Sequence, residues 1–228
     1  MSNALMDRTA KAIYEFINNA CEYKVNNRCF FGSLPSSISH SELGLIRGNT
    51  LSSYNEYASS YKADGKRFVM GFLVVDGQNK AFIVNRNFTI SYIPIIVPDV
   101  YYLGTLLDVE SISGLYLVFD CMYMTGKQCS KEFYPIRLDI ARCMLKQFVR
   151  TDVWKIDEEI AKQDGTYDTV FLDWIISQNN TDIRLKVKQI FRCGYIPKEK
   201  WIYPVDGIVW TSVVRTYKEL STTKLSVL

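Results

Sequence analysis

At 228 residues and 48% hydrophobic, the chain has room for one large domain or two small ones and can bury a real core, which excludes disorder by composition. A formal net charge of +3 permits a phosphate-bearing partner without demanding one, so a basic patch has to be argued from named residues. The six cysteines form no C-x-x-C pair and meet no histidine at finger spacing, which argues against zinc and reads as free thiols in a reducing compartment.

Residues 7–21 predict an amphipathic helix, with Ile13, Phe16, Ile17 and Ala20 at helical spacing behind Asp7 as N-cap. "CFFGSLPSSI", residues 29–38, reads as a loop, followed by a short helix capped by Ser39 or Ser41 and carrying Leu43, Leu45 and Ile46. From Tyr57 to Ile96 the texture is β: "RFVMGFLVV", then Asp76-Gly77, then "KAFIVNRNFTISYI" predict a hairpin and its continuation. "YYLGTLLDVE" and "LYLVFDCMYM" predict two more strands divided by a turn at Ser111–Gly114. A helix is expected over 135–149, with Leu138, Ala141, Leu145 and Phe148 on one face. A second is expected over 168–178, with Val170, Phe171, Trp174 and Ile175. "IRLKVKQIF" (183–191) alternates as a strand, and "PVDGIVWTSVV" supplies the last one. There is no internal repeat, and the polar stretch 150–167 is the best linker candidate. Strands outnumber helices and few crossovers suit βαβ units. The expectation is therefore one α+β domain over residues 1–228 with mainly antiparallel sheets.

Four Asp-Gly pairs occur, at 64–65, 76–77, 164–165 and 206–207. Asp76-Gly77 and Asp164-Gly165 read as turns. Asp64-Gly65 differs, because Lys62 precedes it and Lys66 and Arg67 follow. A free lysine, with a pKa of ~10.4, is a poor nucleophile at neutral pH, and nearby cations or a bound metal favour its reactive neutral form. Further pieces follow in order: Arg86 in "VNRNFTI", Glu110 in "GTLLDVE", Phe119 and Asp120 in "LYLVFDCMY". Then come Arg184, Lys186 and Lys188 alternating in "RLKVKQIF", and Asp206-Gly207 in "VDGIVW". The single histidine, His40, gives no support to His-based metal sites or triads, and no G-x-x-x-x-G-K-[ST] phosphate loop is present.

In this order the elements resemble the covalent nucleotidyltransferases, and among them the mRNA capping guanylyltransferases. "FFGSLPSSI" resembles the family's Phe-Pro-Gly-type opening segment. "YKADGKRF" resembles the Lys-x-Asp-Gly-x-Arg nucleophile motif, and "NRNF" the Arg element after it. "LLDVE" resembles the Leu-Asp-Gly-Glu motif III, "LYLVFDCMY" motif IIIa and "VDGIVW" motif IV. The match runs from about Phe31 to Val213. It implies a ligase-type, ATP-grasp-like nucleotidyltransferase domain. In such a domain Lys62 attacks the α-phosphate of GTP, forms lysyl-GMP, and passes GMP to a 5′-diphosphate RNA end. It further implies Asp206 beside the metal and Lys62, Arg67 and Arg86 on ribose or phosphate, and Glu110 on a ribose hydroxyl. Phe119 would stack on guanine, and Lys186 and Lys188 would neutralise phosphates. The implied cofactor is a divalent ion, Mg2+ or Mn2+. The implied partners are GTP, RNA, and triphosphatase and methyltransferase domains or subunits.

The sequence departs from the family pattern in two places. Val109 stands where motif III has glycine, which predicts regular strand geometry there. The sequence stops at "TYKELSTTKLSVL", where a Lys-Trp-Lys motif V and an OB-fold domain would follow, so the expectation is a domain of a larger capping protein. The rival readings are an ATP-dependent DNA or RNA ligase with a lysyl-AMP intermediate and an inactive nucleotide- or RNA-binding module of a capping complex. Met1–Ala10 lacks the apolar core of a signal peptide, and the apolar run at Phe68–Val75 is too short to cross a bilayer. The expected location is intracellular, in cytoplasm or nucleus, with no membrane partner. The compact motifs and the wealth of Asn, Ile and Tyr suit a large DNA virus, acting in host cytoplasm or virion, and equally a protist.

Overall fold

The computed structural model describes residues 8–21, 35–37, 57–147, 174–178, 181–192, 203–218 and 225–227. In chain order these form α1 (Arg8–Cys21), β1 (Pro35–Ser37), β2 (Tyr57–Ala63), β3 (Lys66–Val75), β4 (Gln78–Asn85) and β5 (Ile90–Tyr92). After a 3-10 turn at Asp99–Leu103 come β6 (Thr105–Ile112), β7 (Leu115–Met124), β8 (Lys127–Gln128) and α2 (Tyr134–Lys146). The last strands are β9 (Trp174–Gln178), β10 (Thr181–Val187), β11 (Phe191–Arg192), β12 (Val205–Ser212) and β13 (Leu225–Val227). Among the described residues the strands make two sheets. One is eight-stranded in the order β5-β4-β3-β6-β7-β10-β9, with β8 beside β7, and the other is five-stranded in the order β1-β13-β12-β2-β11. All pairings are antiparallel except β10 with β7 and β1 with β13. This is the expected α+β architecture. No helix among the described residues is long and apolar enough to cross a membrane.

The core follows from strand alternation. Met70, Phe72, Leu107, Val109, Val118 and Cys121 line one face of the large sheet and pack under Ala141, Met144 and Leu145 of α2. Val69, Phe82, Leu106 and Met122 line the other face and meet Ile13, Ile17 and Ala20 of α1. Both faces are buried there, which is why these strands read as continuous apolar runs. Val109 is fully buried, paired with Phe68 in the unbroken β3–β6 ladder and with Val118 beside a register shift in the β6–β7 ladder, so the regular strand geometry expected there holds on one side only. The valine that departs from the family pattern is thus a core residue.

Asp76-Gly77 is the expected hairpin turn, with positive φ at both residues. The turn expected at Ser111–Gly114 narrows to Ser113-Gly114, again both at positive φ, and β6 runs on to Ile112. Other expectations change. The strand in "YYLGTLLDVE" begins only at Thr105, because Pro98 starts a 3-10 turn that Gly104 ends at φ 121°. The helix expected over 168–178 is strand β9 where it is described, paired with β10 from Gln178↔Thr181 to Trp174↔Leu185. A short apolar run fits either period, and here the available partner strand decides. The strand expected over 183–191 starts at Thr181, stops at Val187, and resumes as β11 in the other sheet. The third residue of the expected Arg184-Lys186-Lys188 row therefore lies past the strand end. The expected helix near Ser39 and Ser41, with His40, and the turn at Asp164-Gly165 lie outside the described residues, as do Asp7 and Phe148. Pro35–Ser37, expected in a loop, is strand β1.

Candidate active site

The Lys62-Ala63-Asp64-Gly65 stretch is not a hairpin. Lys62 is the penultimate residue of β2 in the five-stranded sheet, and β3 starts at Lys66 in the eight-stranded sheet. The Asp-Gly step carries the chain from one sheet to the other. The Asp64 N–H donates to the Pro204 carbonyl at 3.0 Å, which ties the crossing to the segment leading into β12. A Cβ at Gly65 would stand 2.7 Å from Glu110 Cγ and 2.8 Å from the Ser111 carbonyl oxygen. Glycine is required there because the crossing strand runs against the backbone of β6. Ala63, Leu117 and Tyr203 form the small apolar cluster between the sheets beside this crossing.

Two β-bulges aim the site's side chains. In the β2–β12 ladder Gly207 pairs with Lys62 but Val205 pairs with Ala63, so Asp206 is the extra residue. In an unbroken ladder Asp206 would oppose Ala63 and share its face, away from Lys62. The bulge frees it, and its Oδ2 takes an ion pair from Lys62 Nζ. Both side chains remain accessible, at 32% and 45%. In the β6–β7 ladder Asp108 pairs with Asp120 and Val109 with Val118, leaving Phe119 as the extra residue. Its half-buried ring has the Arg67 guanidinium carbon 5.0 Å and the Lys188 amine 5.7 Å from its centroid.

Arg67 and Glu110 are direct partners across β3 and β6, and Asp108 shares their face. This face continues the one that α1 covers, with charge replacing Val69 and Leu106. Arg67 donates from Nε to Asp108 Oδ1 at 2.8 Å and from Nη2 to Oδ2, and Tyr217 adds its hydroxyl to Oδ2 at 2.8 Å. Burial pushes the Asp108 carboxyl above its ordinary range, opposed by Arg67 and the Tyr217 hydrogen bond. Burial also works against the Arg67 cation, but Asp108 more than restores it. Burial raises Glu110 while Lys188, Arg67 and Lys62 oppose the rise. Burial lowers Lys188 while Glu110 opposes the fall. Lys62, Arg67, Glu110 and Lys188 thus feel one another's charge around Phe119.

Of the residues singled out from sequence, the fold brings Lys62, Arg67, Glu110, Phe119, Lys188 and Asp206 to one place. Lys186 is buried within β10 opposite Leu117. It is Lys188, past the strand end and held by its N–H to the Val118 carbonyl at 2.7 Å, whose amine sits over Phe119. Arg86 is exposed one residue beyond β4, whose last residue, Asn85, pairs with Phe68. Sequence reasoning did not assign Asp108 and Tyr217. The signal for Asp108 was its position two residues before Glu110, hence on the same strand face. Tyr217 gave no signal of this kind.

The donor set suits a hard divalent cation held by few protein ligands. Asp206 offers an accessible carboxylate, and no cluster of three or more His, Cys, Asp and Glu side chains occurs among the described residues. Mg2+ characteristically binds through one or two carboxylates together with substrate phosphates. A family model described as the catalytic domain of mRNA capping enzyme matches residues 3–226.

Proposed function

The chain belongs to the mRNA capping enzyme catalytic-domain family, which makes it a GTP:RNA guanylyltransferase, and on that premise we propose that Lys62 carries the guanylyl group. The observation supporting this assignment is the Lys62–Asp206 pair, brought together by a bulge beside the cluster of Arg67, Glu110, Phe119 and Lys188. The Lys62 amine attacks the α-phosphorus of GTP. The N–P bond forms, the bond to the pyrophosphate oxygen breaks, and Asp206 Oδ2, the ion-pair partner of Nζ, takes the proton that leaves it. In the second step a terminal oxygen of a 5′-diphosphate RNA attacks the same phosphorus, the N–P bond breaks, and the Lys62 amine regains a proton. RNA triphosphatase chemistry supplies the diphosphate end.

Phe119 offers its ring to the guanine, and Glu110 accepts from a ribose hydroxyl. Arg67 and Lys188 bring fixed positive charge to the phosphates, and Lys186 and Arg86 are further cations assigned to the same charge. Preorganised cations of this kind stabilise charge spreading over a transferring phosphoryl group. A divalent ion, Mg2+ or Mn2+, held by Asp206 and the phosphates, would neutralise developing charge when bound.

The assignment is tested by incubating the chain with radiolabelled GTP and Mg2+ or Mn2+. We expect acid-labile, alkali-stable label on the protein that disappears in Lys62→Ala. Undiminished labelling of Lys62→Ala would remove this residue from the mechanism, and label from ATP alone would favour a ligase.

A further inference from the structure

We infer that Tyr217 is a positioning residue of the nucleotide site, acting on Arg67 through Asp108. The inference rests on the reading above that Arg67 faces bound GTP. Tyr217 is 1% exposed and cannot touch substrate itself. Its hydroxyl donates to Asp108 Oδ2 at 2.8 Å across 109 positions of sequence. That same oxygen receives Arg67 Nη2, while Oδ1 receives Nε at 2.8 Å.

A two-pronged Arg–carboxylate pair makes the two planes move together. The plane of an Asp carboxylate is poorly fixed by its own torsion, whose wells are broad. A third donor from outside the pair sets that plane, and through it the tilt of the guanidinium 5.0 Å over Phe119. Tyr217 can do this because its own position is pinned. Its N–H donates to the Ser130 carbonyl at 2.9 Å. Two residues earlier, the Arg215 carbonyl accepts from Arg137 Nη1 at 3.2 Å, and Arg137 is locked to Asp120 by bonds of 2.6 and 2.9 Å. The Arg137 guanidinium carbon also lies 5.7 Å from the Tyr217 ring centroid. The segment after β12, the strand that carries Asp206, is thereby fastened to the carboxylate that orients Arg67.

Tyr217→Phe keeps the ring and removes only the donor. The full 228-residue chain is titrated with α,β-methylene GTP, which cannot react at the α-phosphorus, as wild type, Tyr217→Phe, Arg67→Lys and the double variant. Circular dichroism verifies that each is folded. Losing one hydrogen bond to a buried charge predicts a Kd for Tyr217→Phe about tenfold weaker. Lysine at 67 cannot form the two-pronged pair, so adding Tyr217→Phe in that background should change Kd less than about twofold. A merely structural tyrosine would weaken binding equally in both backgrounds, and that result overturns the inference. So does a Tyr217→Phe that binds as wild type. A wild-type chain that binds no nucleotide sinks the underlying reading instead, and the wild-type titration tells these failures apart.

Discussion

Lys62–Asp206 and Arg67–Asp108 are both cation–carboxylate pairs, yet their surroundings are opposite. The first spans two strands of the small sheet, with side chains 32% and 45% exposed. The second spans two strands of the large sheet, at 6% and 0%, with the Tyr217 hydroxyl as a third donor to Asp108. On the proposed mechanism, a lysine that forms and breaks a bond to phosphorus has to be reachable, and its carboxylate must be able to release it. An arginine that supplies fixed charge gains from burial, since a guanidinium keeps its proton and its planar fork fits one carboxylate. Water exchange at the first pair and desolvation at the second let two pairs of the same chemistry do different work.

The largest stability effect should come from breaking the buried pair. Arg67→Met leaves Asp108 with one donor in a dry site and should lower unfolding free energy by about 3–5 kcal/mol, read as a shift in urea midpoint. The Asp108 carboxyl, already held high by burial, rises further in this variant. A raised folded-state value means the native carboxyl binds its proton more tightly than the unfolded one. The deficit should therefore be smallest in acid, below the unfolded range near ~3.9, and grow as pH climbs through the folded value. A deficit independent of pH would deny Asp108 its charge.

Gly65→Ala tests the crossing that sets the two pairs side by side. Contacts of 2.7 and 2.8 Å for the added Cβ should cost about 1–3 kcal/mol and reduce adduct formation, because Lys62 lies three residues away. An unchanged midpoint would mean the crossing relaxes freely.

Lys188 should give a smaller effect, visible as a slope. Burial holds its amine below the usual lysine range, with Glu110 opposing the shift. The unfolded chain then binds the extra proton, so the stability contribution is present above ~10.4 and lost as pH falls through the folded value. Lys188→Met should flatten the rise of urea midpoint with pH between neutrality and that limit, and should weaken GTP binding. Parallel slopes in the two proteins would show that Lys188 keeps its ordinary titration.

Lys62→Ala should be the mildest for stability, under about 1 kcal/mol, although the adduct disappears. A loss comparable with Arg67→Met would erase the distinction between the two pairs.

Much of this site was legible because strand alternation and motif order are local properties. Lys62, Glu110, Phe119 and Asp206 could be chosen before any fold was known. What was not legible depended on long-range register. The bulges at Asp206 and Phe119 exist only in relation to partner strands. Trp174–Gln178 reads helical until β10 lies beside it. Lys186 and Lys188 look equivalent until β10 ends between them.

The sequence by itself determined the α+β class and singled out Lys62 as the lysine proposed to react, since side-chain period and residue chemistry need no partner. Only the tertiary structure decided that Asp64-Gly65 joins two sheets rather than closing a hairpin, and that Asp206 turns toward Lys62. It alone placed Tyr217 behind Asp108. Each of these depends on which backbone lies opposite, and desolvation separates the accessible pair from the buried one.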